Sequence, residues 1–142
     1  MNTNTKCNPL FKVNTTNQGV LSFYRVNNYF DKSIMIRMSY YNRITFQRID
    51  IIINYRTIFS MYSLLSALYE FSVQRNYISI EDTIKMNDNE SLAFTRLNGY
   101  PDYSITYHNK DTIILMQFDE DSLYDFIYGF NINIISSEEW YE

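Results

Sequence analysis

Histidine and cysteine occur once each in this chain, as His108 and Cys7, and that scarcity removes a great deal of chemistry. A closed zinc site takes four Cys or His ligands, so none can be assembled, and no metal or other cofactor is expected. A serine triad has one possible base, and no Gly-x-Ser-x-Gly surrounds any serine. Three glycines leave no phosphate-cradling loop. One thiol excludes an internal disulfide and points to a reducing compartment. The apolar runs, such as Ile51–Ile53 and Ile113–Met116, are only strand-length, so no membrane span is expected, and the polar segment Met1–Asn8 lacks the apolar stretch of a secretory signal. The expectation is a cytoplasmic, non-enzymatic protein that meets no membrane.

What the chain does have is aromatic side chains and a divided charge. Aromatics make up 18% of the 142 residues and fourteen are tyrosines, whose apolar face and polar tip suit half-exposed sheet faces and binding surfaces. AT-rich coding also favours Ile, Asn, Tyr and Phe over Ala, Gly and Pro, so composition by itself assigns no function. The charge is more informative. Residues 1–75 hold nine Lys and Arg against three Asp and Glu, a balance of +6, whereas residues 76–142 hold three against thirteen, a balance of −10. A basic half beside an acidic one points to binding rather than catalysis.

Periodicity predicts an α+β fold: an antiparallel sheet with two helices. Residues 1–18, with six Asn or Gln and four Thr, read as a flexible arm. A single domain follows over 19–135, with an acidic aromatic tail over 136–142. Strands are expected over Val20–Val26, Ser33–Tyr41 and Ile44–Ile53, the last with a bulge near Arg48. Apolar residues at intervals of three and four predict a helix over Thr57–Gln74, capped by Thr57 or Ser60. Shorter strands over Tyr77–Ile80, Thr83–Met86, Ser91–Leu97, Tyr103–His108 and Thr112–Phe118 precede a second helix from Asp121 or Ser122 to Phe130. The stretches Ser63–Phe71 and Ser122–Phe130 share Ser, Leu, Tyr and Phe at matching positions, which suggests a duplicated strand-strand-strand-helix unit over 19–75 and 76–130.

Two sets of residues are candidates for binding. In the basic half, Arg25, Arg37, Arg43 and Arg48 alternate with Tyr24, Tyr40, Tyr41 and Phe46. Single-stranded nucleic acid needs both types: guanidinium groups neutralise phosphates, and rings stack on unpaired bases. In the acidic half, Asp119, Glu120, Asp121 and Asp125 gather at a predicted helix start, and Glu138, Glu139 and Trp140 sit in the tail. Carboxylates in such a cluster can hold Mg²⁺ or exchange protons, but at a helix start they ordinarily cap it.

The order of strands and helix, with basic and aromatic residues between Arg37 and Arg48, resembles the PC4 and Whirly type of single-stranded DNA-binding module. The tail is similar to those of phage and bacterial single-strand-binding proteins. The resemblance implies a viral or phage protein that binds single-stranded DNA or RNA on a curved sheet, with its helices at a dimer or repeat interface, and hence a homodimer. It extends over Val20 to Phe130 as a topology and only over Arg37 to Arg48 as residue types, and the second half offers only Lys85, Arg96 and Lys110 to phosphates. The alternative expectation is a phage-encoded inhibitor of a host enzyme or defence complex, with the acidic residues imitating a phosphate backbone.

Overall fold

The alternating segments form two antiparallel meanders in the computed structural model, which describes residues 8–27, 34–73, 80–96 and 102–136. The first sheet is β1 (Phe11–Asn14), β2 (Gly19–Asn27), β3 (Ile34–Asn42) and β4 (Arg48–Ile53), followed by helix α1 (Tyr55–Val73). The second is β5 (Ile80–Lys85), β6 (Glu90–Arg96), β7 (Tyr103–Asn109) and β8 (Thr112–Phe118), followed by α2 (Glu120–Phe130), which continues into a π-helical turn over Asn131–Ile135. The fold is α+β. No helix among the described residues is long and apolar enough to cross a membrane.

The same four-strand-plus-helix unit occurs twice, and the register of its buried residues shows it. In the first sheet Leu21 lies across from Tyr40 and Tyr40 from Ile49; in the second Leu92 lies across from Tyr107 and Tyr107 from Ile114. All six are buried. Phe23 and Phe94 hold the next matching place along β2 and β6, and Arg25 and Arg96 the one after. A Tyr-x-Asn pair closes β3 and β7 in the same way: Asn42 Nδ2 donates to the Tyr40 hydroxyl at 3.0 Å, and Asn109 Nδ2 to the Tyr107 hydroxyl at 3.0 Å. The units differ at the partner beside each phenol. Gly19 leaves room for the Tyr40 ring, whose hydroxyl lies 2.3 Å from where a Cβ would stand. Glu90 occupies the matching position and accepts a hydrogen bond from Tyr107, whose phenol is raised above its usual pKa by burial and by that carboxylate.

The repeat seen in the structure is not the one expected from Ser63 and Ser122. Each helix begins directly after its sheet, at an N-cap residue: Asn54 accepts from Thr57 N at 3.0 Å, and Asp119 accepts from Ser122 N at 2.8 Å. Asn54 therefore matches Asp119, and the buried Ile58, Met61 and Leu65 match Leu123, Phe126 and Phe130. The next buried residues are Leu68 and Ile134, one place out of step, because the wider π-helical turn takes in an extra residue. Thr57 and Ser60 are not the cap of α1, and α2 starts at Glu120 rather than at Asp121 or Ser122.

Two strand expectations are also corrected. Phe11–Asn14, inside the segment read as an arm, is β1, so each unit has four strands rather than three. The expected long strand from Ile44 begins only at Arg48: the chain between is a turn built on buried Asn42, whose Oδ1 accepts from Ile44 N at 2.9 Å and Thr45 N at 3.0 Å. The strand read over Tyr77–Ile80 lies mostly outside the described residues; β5 starts at Ile80.

The two units share one core. Helix α1 packs on β5 and β6 of the second sheet and on β3 of its own, α2 packs on β1 of the first sheet and on β8 of its own, and the helices touch each other. At the centre, Phe11 stacks on Phe23 at 4.7 Å between ring centroids, and Phe23 meets Phe126 at 5.6 Å and Phe130 at 5.5 Å. Gly129 has a specific reason to stand inside a helix, where glycine costs about 1 kcal/mol relative to alanine. A Cβ there would lie 2.7 Å from the Phe11 ring.

Candidate nucleic-acid interface

Period-two alternation buries one face of each sheet and leaves the other outward. In the first sheet the outward residues fall into cross-strand rows: Tyr24, Arg37 and Ile52; then Lys12, Ser22, Ser39 and Asp50; then Asn14, Val20, Tyr41 and Arg48. The Arg37 guanidinium lies 4.4 Å from the centroid of the Tyr24 ring, and that of Arg48 lies 4.9 Å from the Tyr41 ring. Each pair joins neighbouring strands, and Arg37 and Tyr41 are four residues apart on β3, about 13 Å along the strand. The face thus presents two cation-over-ring units with Lys12 at its far side. Asp50 sits between them, its Oδ1 3.5 Å from Arg37 Nε, with the two side chains 62% and 40% exposed. An ion pair this exposed contributes only about 0–1 kcal/mol.

The matching face of the second sheet holds Lys85 on β5 but no such Arg–Tyr pair. Thr95, Ser104 and Gln117 replace Tyr24, Arg37 and Ile52, and Ser91, His108 and Ile113 replace Val20, Tyr41 and Arg48. The buried pattern is repeated while the outward one is not, so the Arg and Tyr pairs are not required by the fold.

Of the residues expected to bind nucleic acid, Arg37, Arg48, Tyr24 and Tyr41 come together on this face. Tyr40 does not: it is 1% exposed, faces the core and makes the hydrogen bond to Asn42, so it cannot stack on a base. Arg25 is exposed near the end of β2 with the opposite side-chain parity, so it does not join the Arg37 face. Arg43 and Phe46 belong to the β3–β4 turn, both exposed, with Phe46 at φ 60°, a left-handed conformation uncommon for a bulky residue. Lys12 went unrecognised because β1 is four residues within a polar stretch; the only signal was the alternation of Phe11 and Val13 with Lys12 and Asn14.

The acidic set is divided. Asp119 is a helix cap in a reciprocal capping box with Ser122, and Glu120 and Asp121 occupy the first turn, where the helix dipole favours negative charge. Asp121 and Asp125 line a groove between α2 and β1 that also holds Lys12. Glu138, Glu139 and Trp140 lie outside the described residues. No cluster of three or more metal-ligating side chains is present among those described.

The cap gives a prediction. Hydrogen bonds from the Ser122 backbone and side chain hold the Asp119 carboxyl below its usual pKa. A lowered value means that this stabilisation is complete above the ordinary aspartate range and is lost as the pH falls through the folded value. Asp119→Ala should lower stability at neutral pH by about 1 kcal/mol. Asp119→Asn should retain most of the cap and lose the acid-dependent part, read as a smaller change in urea midpoint between neutral and acid pH.

Comparison with protein-family models, curated proteins and solved structures finds no match to this chain.

Proposed function

We propose that the outward face of the first sheet binds single-stranded nucleic acid, DNA or RNA, without catalysing a reaction on it. The observation that carries this reading is the placement of two guanidinium groups over two tyrosine rings on adjacent strands. An arginine held over a ring is already positioned before a phosphate arrives, so less side-chain freedom is lost on binding. The rings offer stacking surface that any unpaired base can use, whereas a duplex keeps its bases stacked on one another. The second sheet, with Ser104 and Ile113 where the first has Arg37 and Arg48, supports a site confined to one face. The net charge of −4 at pH 7 then acts against non-specific binding elsewhere on the chain.

Fluorescence anisotropy with labelled single strands and duplexes of equal length, at stepped salt concentrations, tests this. Single strands should bind more tightly, and contacts from Lys12, Arg37 and Arg48 should give a log K against log salt slope of about −2, at roughly −0.7 per phosphate. Absence of binding at low salt, or binding indifferent to salt, would sink the proposal. A stoichiometric complex with a host protein that forms without nucleic acid would favour the inhibitor reading instead.

A further inference from the structure

We infer that β4 is a self-association edge, which pairs antiparallel with β4 of a second copy and joins the two first sheets into one. The repeated architecture shows what is unusual about it. The outer edge of β8 is closed by the β1–β2 turn: Asn17 Nδ2 donates to Leu115 O at 2.7 Å, Gln117 N donates to Asn17 Oδ1 at 3.2 Å, and Thr16 N donates to Gln117 O at 2.8 Å. In the other unit Asp50 and Ile52 of β4 match Leu115 and Gln117, and the turn that matches the β1–β2 turn is Asn87–Asn89. That turn carries Asp88 where Asn17 stands, and a carboxylate has no N–H with which to cap the Asp50 carbonyl. Among the described residues no hydrogen bond joins this turn to β4, which ends its sheet. An uncapped edge with Ile49, Ile51, Ile52 and Ile53 is a template for another strand.

The side chains specify which strand. Antiparallel pairing about a two-fold axis through Ile49 sets Arg48 across from Asp50 of the second copy, and Asp50 across from its Arg48. The same register carries Ile52, 52% exposed, past Arg48 of the second copy toward its β3–β4 turn, where Phe46 is 70% exposed and, at φ 60°, off the line of the strand. Opposite charges directly across from each other stabilise a ladder, and a two-fold interface repeats the pair. A shift by one residue on each copy, centred on Asp50, would instead oppose two carboxylates. The same pairing explains an acidic residue in the middle of a basic face, since Asp50 would bridge Arg37 of its own chain and Arg48 of the second copy.

Sedimentation equilibrium of the full chain without nucleic acid tests this independently of the proposed function. The expected mass is twice 17.1 kDa at high micromolar concentration. Arg48→Asp or Asp50→Arg alone should give the monomer, and the two together should restore the dimer. Ile52→Lys, at an exposed position that leaves the core intact, should weaken association at least tenfold. A wild-type monomer, a dimer that survives Ile52→Lys and both single charge reversals, or a double reversal that stays monomeric overturns the inference.

Discussion

Replacing Arg37 and Arg48 together with alanine should weaken binding of a single-stranded oligonucleotide by about a hundredfold at low salt and make the salt slope shallower by about 1.4. The first figure follows from charge-assisted hydrogen bonds, worth about 1.5–3 kcal/mol each, at roughly 1.4 kcal/mol per tenfold change in affinity. The lower end applies because Arg37 is 40% exposed and Arg48 also lies at the surface, where water already weakens the contact. The second counts two phosphates no longer neutralised. Arg37 lies one strand in from the β4 edge, so Arg37→Ala alone separates loss of a phosphate contact from loss of a dimer; it should account for about half of each effect. Tyr24→Ala and Tyr41→Ala test the other component. Each removes a stacking surface worth about 1–3 kcal/mol with much less change in salt slope, because no charge is lost. Lys85→Ala, on the outward face of the second sheet, is the control and should leave binding unchanged. Equal losses from Lys85 and Arg37 would show that attraction is diffuse and that the Arg–Tyr face is not a site.

That face was partly legible in the sequence, for a physical reason. Alternation in β3 puts Arg37, Ser39 and Tyr41 on one face and Ile36, Met38 and Tyr40 on the other. Tyr40 was misassigned because a tyrosine suits either side of a half-buried strand, and its inward role depends on Asn42 and on the absence of a side chain at Gly19. The start of β4 was hidden because Ile44 and Phe46 continue an apparent alternation through what is a turn, up to the slip near Arg48. Its stop signal was Asn42, whose side chain takes over the hydrogen bonds of the following backbone amides. The duplication was visible only in outline. Its strongest evidence is spread across β2 and β6 as Leu21, Phe23 and Arg25 against Leu92, Phe94 and Arg96, and a resemblance between two helices in a composition rich in Ser, Leu, Tyr and Phe drew attention to the wrong offset.

A shared core between two like units makes the central phenylalanines the place where stability is most exposed to change. Phe126 is fully buried and meets Phe23 at 5.6 Å, Phe118 at 5.5 Å and Phe130 at 5.9 Å, with Phe11 edge-on at 6.3 Å. Phe126→Ala should cost about 3–5 kcal/mol, because the ring's burial is lost and a cavity remains among neighbours that are themselves rings and collapse poorly. Against a net stability of about 5–15 kcal/mol this is a large fraction, and the thermal midpoint should fall by about 10 °C. Ile52→Ala, an exposed truncation, should change the stability of the monomer by less than about 0.5 kcal/mol. The position of Phe126 adds a test of cooperativity. Its helix belongs to the second unit while Phe11 and Phe23 belong to the first, and each helix packs on the other unit's sheet as well as on its own. Neither sheet therefore has its core covered without the other unit, and tyrosine near-ultraviolet and backbone far-ultraviolet dichroism should report one coincident transition in both the wild type and the variant. Two separated transitions in the wild type would mean that each sheet is held by its own half, and the loss at Phe126 should then fall on the second unit alone.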